Sequence, residues 1–135
     1  MLPEKDIETR EDIRYLVGVF YDLIKLDETL GPIFNRFIKA DEWDAHLEKL
    51  TDFWLSQLFG IPAFNGNPVK AHRNVDKELN HSIDQTHFAK WLNLWFSTVN
   101  SLYKGDVAEH AKNRARNMAT GQFLRIWEAR PENQK

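Results

Sequence analysis

Each sustained set of apolar residues in this chain recurs at three- and four-residue spacing, and none alternates. Ile13, Leu16, Val17, Phe20 and Ile24 form one such stripe, and Trp43, Leu47, Leu50, Trp54 and Leu58 a second. Phe88, Trp91, Leu92, Trp95, Val99 and Leu102 form a third; Val107, Ala111, Ala115, Met118, Phe123 and Ile126 form a fourth. A period near 3.6 places such residues on one face of a helix, whereas a half-buried strand would need a period of two. The chain is therefore expected to be all-α, with each long helix burying one face.

Local signals set the expected boundaries. Thr9 can cap the first helix, with Glu11 and Asp12 near its positive end. Leu30-Gly31-Pro32 breaks the pattern, and Pro32 can open a short piece through Ile33, Phe34, Phe37 and Ile38. Asp41 is the expected cap of a helix from Glu42 to about Phe59, stopped by Gly60. Ile61 to Asn67 is dense in turn formers and is not a strand. Asn67-Pro68 then starts one or two helical turns that carry His72, and Val75 to Ile83 reads as a loop or a frayed helix end. Asp84 is expected to cap a long helix to about Tyr103, ended by Gly105, and Asp106 to cap the last. Gly121 inside that last helix costs up to ~1 kcal/mol relative to Ala, which close helix packing would offset. The reading is one domain over residues 1–135, with a helical core at 8–129 and tails at 1–7 and 130–135.

Composition removes several classes of function. The chain has no Cys, which excludes disulfides, zinc–thiolate sites, iron–sulfur clusters, thiolate-ligated haem and covalent c-type attachment. Its formal net charge is −2 with both signs interspersed, so neither nucleic acid nor an anionic membrane is proposed as a partner. No apolar run approaches the ~20 residues of a membrane span. The N-terminus is charged and lacks a signal-peptide apolar region, so a cytoplasmic protein is expected. A nucleophile elbow, a Gly-rich phosphate loop and paired helical carboxylates are all missing, which disfavours hydrolase and kinase chemistry.

The histidines fall at positions 46, 72, 81, 87 and 110, and no two are three or four residues apart. The i,i+4 pair of a helix-borne zinc site is therefore absent. A haem asks for something else: one axial imidazole, a wide apolar slot, and a few polar groups on the opposite face. Isolated histidines among five Trp, nine Phe and three Tyr suit that demand, although a plain helical core would use the same residues. Tyr21, four residues after Val17, borders the first stripe and its hydroxyl needs a partner or a task. His46, four residues before Leu50, looks inward or sits at the edge of its helix face. Both are also compatible with ordinary core or boundary roles.

Phe20-Tyr21, Leu30-Gly31-Pro32-Ile33-Phe34-Asn35, His46 and Phe53-Trp54 occur in that order. Phe64-Asn65-Gly66-Asn67-Pro68, Lys70-Ala71-His72 and Phe88-Ala89-Lys90-Trp91 follow them. Together they resemble the truncated haemoglobins, most closely the third group, over roughly Ile13 to Phe123. The resemblance implies a 2-on-2 helical sandwich around haem b. It also implies that His72 is the proximal iron ligand, that Tyr21 and Trp91 are distal hydrogen-bond donors, and that His46 is the distal histidine. Phe20, Phe34, Leu50, Phe53 and Trp54 match positions that shape the haem slot. Asn74 to Thr86 departs from the family by its length, and His81 and His87 match no family role and read as solvent-facing residues near a helix start.

Three functions follow as alternatives. The first is a binder of dioxygen, nitric oxide and carbon monoxide. The second is a haem enzyme for nitric oxide dioxygenation or peroxide reduction. The chain has no flavin or nicotinamide domain, so turnover would need a separate reductase. The third is a helical interaction module without haem, which would tolerate loss of His72. Two or three distal donors would slow gas release, which suits redox chemistry better than oxygen transport.

Overall fold

A computed structural model describes residues 3–135; Met1 and Leu2, the start of the expected charged N-terminal tail, lie outside the described residues. The described residues form six α-helices, two short 3-10 turns and no strand. The helices are α1 (Arg10–Leu26), α2 (Leu30–Phe37), α3 (Trp43–Phe59), α4 (Pro68–Glu78), α5 (Gln85–Leu102) and α6 (Asp106–Glu128). α1 packs on α3 and α5 on α6, and the two pairs meet where α1 crosses α5 and α3 touches α6. The short α2 rests on α1 and α5, and α4 rests on α6. This is the all-α, 2-on-2 arrangement that the helical periodicity and the resemblance led us to expect.

The first stripe is the centre of the core. Ile13, Leu16, Val17, Phe20 and Ile24 are all fully buried and meet Trp95 and Val99 of α5. On α6 four of the five buried residues are small (Ala108, Ala111, Ala115 and Ala119, with Ile126 the fifth), which lets that helix approach α5 closely. The approach is near enough for the Trp95 indole N–H to donate to the Ala111 carbonyl at 3.2 Å, satisfying the polar atom of a buried ring.

Several boundaries follow their signals. Thr9 and Asp12 form a reciprocal capping box at the start of α1. Gly60 ends α3 in the left-handed conformation, at φ +67°. Asp84 accepts from the amides of Thr86 and His87, while His87 Nδ1 accepts from the Asp84 amide, so a histidine takes the part usually played by Glu or Gln.

Other boundaries differ. Helix α2 begins at Leu30, so Pro32 is its third residue rather than its opener; Asp27 accepts from the Thr29 and Leu30 amides and starts the turn earlier. Asp41 does not cap α3. It lies in the 3-10 turn Ala40–Glu42, where Glu42 folds back to accept from the Lys39 amide. Asp106 does not cap α6 either. Gly105 takes the cap position at φ +141°, and Asp6 reaches in to accept from the amides of Val107 and Ala108 at 2.9 Å each. A Cβ at residue 105 would collide with that carboxylate. Gly121 is not explained by helix packing, since a Cβ there would meet no heavy atom within 4 Å.

The largest difference lies in the middle. Val75 to Glu78 is neither loop nor frayed end; α4 runs for 11 residues before Asn80 and His81 turn the chain with positive φ. Periodicity missed this helix because it is held by polar contacts rather than by an apolar face. Its one buried residue is Asp76. Side-chain bonds fasten it to α6 and to the residues just past it: His72 to Gln122, Arg73 to the Arg125 carbonyl, and Asp76 to Arg130.

Candidate functional site

His72 enters from α4. Asn67 accepts from the Lys70 amide at 3.0 Å and Pro68 occupies the first helical position, so the helix starts sharply and its second turn presents the imidazole. The ring is half-buried and edge-on to Phe88, with centroids 6.3 Å apart, and Phe88 in turn meets Phe123 at 6.0 Å. His72 Nδ1 lies 3.2 Å from Gln122 Oε1. Burial pushes the pKa of this imidazole down and the Gln122 bond opposes the shift; the net direction is down, toward the neutral ring.

A second cluster is built by α1, α2, α3 and α5. Tyr21 is buried, and its ring packs 5.7 Å from Phe34, 5.9 Å from Trp43 and 6.2 Å from His46. Burial pushes the Tyr21 phenol up to about 12, and the neighbouring Trp91 indole pulls the other way. The hydroxyl therefore keeps its proton at neutral pH and remains a donor. His46 is half-buried beside Trp43; burial, and then the nearby Lys49 charge, lower its pKa and favour the neutral ring.

Helix α5 joins the two clusters. Phe88 and Trp91 stand three residues apart on one face, the first against His72 and the second against Phe20, beside Tyr21. Phe34, Leu50 and Phe53 are half-buried, and Phe64 from the irregular segment closes on Phe53 at 5.1 Å. Phe20 and Trp54 sit deeper, at 0% and 3% exposure, and support the region from within the core. Trp54 stacks on Trp95 at 4.5 Å, and Trp95 on Trp91 at 6.0 Å, so a ladder of indoles backs the Tyr21 cluster.

His81 and His87 are not free solvent-facing residues. His81 Nδ1–H donates to Asp76 at 3.1 Å, and His87 is half-buried as part of the α5 cap. Sequence reading did not single out Gln122 or Arg130. Their partners lie 50 and 54 residues away along the chain, and no motif or spacing signals contacts of that kind. Among the described residues, no group of three or more His, Asp or Glu side chains could hold a bare metal ion. What the site offers is two imidazoles held toward the neutral form, His72 bonded to Gln122 and His46 beside Tyr21, a wall of large apolar rings, and the Tyr21 phenol near the Trp91 indole.

No family model matches the chain. The chain is 32% identical over 113 residues to a group 3 truncated hemoglobin, ctb, of Campylobacter jejuni, a match covering 82% of this chain and 85% of that protein. Its fold is similar to the crystal structure of a group III truncated hemoglobin from Campylobacter jejuni, with a TM-score of 0.82 and 28% identity. That likeness covers 96% of this chain and 100% of the other. The sequence relationship and the shared helical sandwich agree: the chain belongs to the group III truncated haemoglobins.

Proposed function

We propose that this single domain holds haem b between the His72 and Tyr21 clusters, with His72 as axial ligand, and reversibly binds dioxygen, nitric oxide and carbon monoxide. The observation that carries the reading is the pairing of one neutral, hydrogen-bonded imidazole with a buried donor cluster, both joined to one face of α5. When bound, the porphyrin would itself supply most of the iron's ligands, and the haem would supply the site at which a diatomic gas binds. One imidazole is therefore enough, where a bare ion would need several protein ligands. Half-buried Phe34, Leu50, Phe53, Phe64, Phe88 and Phe123 provide apolar surface for a flat macrocycle.

The chain's own groups then divide the work. Gln122 Oε1 accepts a hydrogen bond from the Nδ1–H of His72, which leaves Nε2 as the basic nitrogen. The Tyr21 phenol keeps its proton and, with the neighbouring Trp91 indole N–H, would donate to a gas in the pocket. His46, neutral and at the edge of the same cluster, is placed to admit or contact the ligand. No described helix is long and apolar enough to cross a membrane, and the proposal assumes a cytoplasmic setting.

Tyr21→Phe tests the distal assignment. A donor bond to a charged ligand contributes roughly 1.5–3 kcal/mol, so the oxygen dissociation rate is expected to rise about tenfold to a hundredfold. The ring contacts to Phe20, Phe34 and Trp43 survive the change, which separates loss of the hydroxyl from loss of packing. An unchanged or slower rate in stopped-flow would show that the phenol does not hold the ligand. The convergence of Tyr21, Trp91 and His46 also supports a second reading, in which slow gas release serves nitric oxide dioxygenation or peroxide reduction with a separate reductase. Steady turnover that falls in Tyr21→Phe or Trp91→Phe would favour it.

A further inference from the structure

We propose that Gln122 is the positioning residue for His72, accepting a hydrogen bond from its Nδ1–H and thereby setting how strongly Nε2 donates to a haem iron. The proposal rests on the reading of His72 as the axial ligand. A neutral imidazole carries one proton on either nitrogen, and only the nitrogen without it can bind a metal. With Nδ1 3.2 Å from the side-chain carbonyl of Gln122, the proton belongs on Nδ1 and the lone pair on Nε2. The bond also fixes ring rotation, because donor and acceptor stand on different helices that are clamped together. Arg73 Nε donates to the Arg125 carbonyl at 3.3 Å, and Arg130 binds Asp76 through Nε and Nη2 at 3.0 and 2.9 Å. These ties lie one and four residues beyond His72 on α4; opposite them, Arg125 lies three residues beyond Gln122 on α6 and Arg130 eight beyond it, just past the helix end. The acceptor is thus held in register with the imidazole by a seam that no apolar packing supplies. A neutral amide also sets an intermediate donor strength. Removing it weakens the basicity of the ligating nitrogen, and replacing it with a carboxylate strengthens it.

The test compares the wild-type haem protein with Gln122→Leu and Gln122→Glu. In the gas-free ferrous state, resonance Raman should place the iron–histidine stretching frequency in the order Leu variant, wild type, Glu variant, from lowest to highest. The reduction potential should follow the reverse order. In the carbon monoxide complex, NMR should show a His72 Nδ1–H signal protected from solvent exchange in wild type and Gln122→Glu and exchanging faster in Gln122→Leu. Haem loss from Gln122→Leu should accelerate by about tenfold or more. If Gln122→Leu folds poorly, Gln122→Glu keeps the acceptor and still predicts the upward shift, which a purely structural role would not produce. Equal stretching frequencies in all three proteins, with the His72→Ala spectrum altered, would overturn the role of Gln122 alone. A haem spectrum untouched by His72→Ala would overturn the axial assignment and this proposal with it.

Discussion

Trp95→Ala is expected to destabilise the protein by about 3–5 kcal/mol, the range for truncating a large buried ring. Trp95 has no exposed surface, and it stacks between Trp54 and Trp91 while Phe20 meets its edge at 4.9 Å. Its removal would leave a cavity where α1, α3, α5 and α6 meet and would free the Ala111 carbonyl of its indole partner. The rigid helix core resists collapse into that space, so the lost contacts would not be recovered. Urea unfolding followed by far-ultraviolet circular dichroism measures the effect without relying on Trp fluorescence. A loss under about 1 kcal/mol would mean that the indole ladder does not organise the core.

Asp76→Ala should cost a similar amount by a different route. The Asp76 side chain is 1% exposed and Arg130 10%, and the carboxylate also accepts from His81 and from the Ile83 amide at 3.1 Å each. Removing it leaves a buried guanidinium unpaired, for which roughly 3–5 kcal/mol is typical. Burial pushes the Asp76 pKa up, but the bonds from Arg130, His81 and Ile83 outweigh it and hold the carboxyl below its usual value. A group with a depressed folded pKa stabilises the fold above its unfolded value, ~3.9, and that contribution fades as pH falls through the folded pKa. The stability difference between wild type and Asp76→Ala is therefore expected to be constant near neutrality and to shrink below about pH 4. Asp12, Asp27 and Asp84 are held low as well, so both proteins weaken in acid and only the difference reports Asp76. A difference that stays constant down to about pH 2 would show that the ion pair does not form.

How much of this was legible depends on what kind of contact holds each part. Helices α1, α3, α5 and α6 carry apolar stripes, and the stripes announced them. The caps at Thr9 and Asp84 obey local rules and were equally readable. Asp106 failed as a cap because Asp6, about a hundred residues earlier, supplies the acceptor, and a local rule has no access to such a partner. Helix α4 was read too short for a related reason: its stability comes from Gln122, Arg125 and Arg130, not from a hydrophobic face. The candidate site shows the same division. His72, Tyr21, His46 and Trp91 could be picked out as residue types in the order of a known family. The bond that orients His72 arises only once α6 is folded against α4.

The central claim is that His72 binds the iron of a haem whose opposite face is open to gas. The most direct test is the absorption spectrum of the purified protein, oxidised, reduced, and reduced under carbon monoxide, beside His72→Ala. A Soret band that shifts with carbon monoxide and is lost or strongly altered in His72→Ala is the predicted result. Absence of a Soret band after addition of haem, or a band unaffected by His72→Ala, would contradict the account.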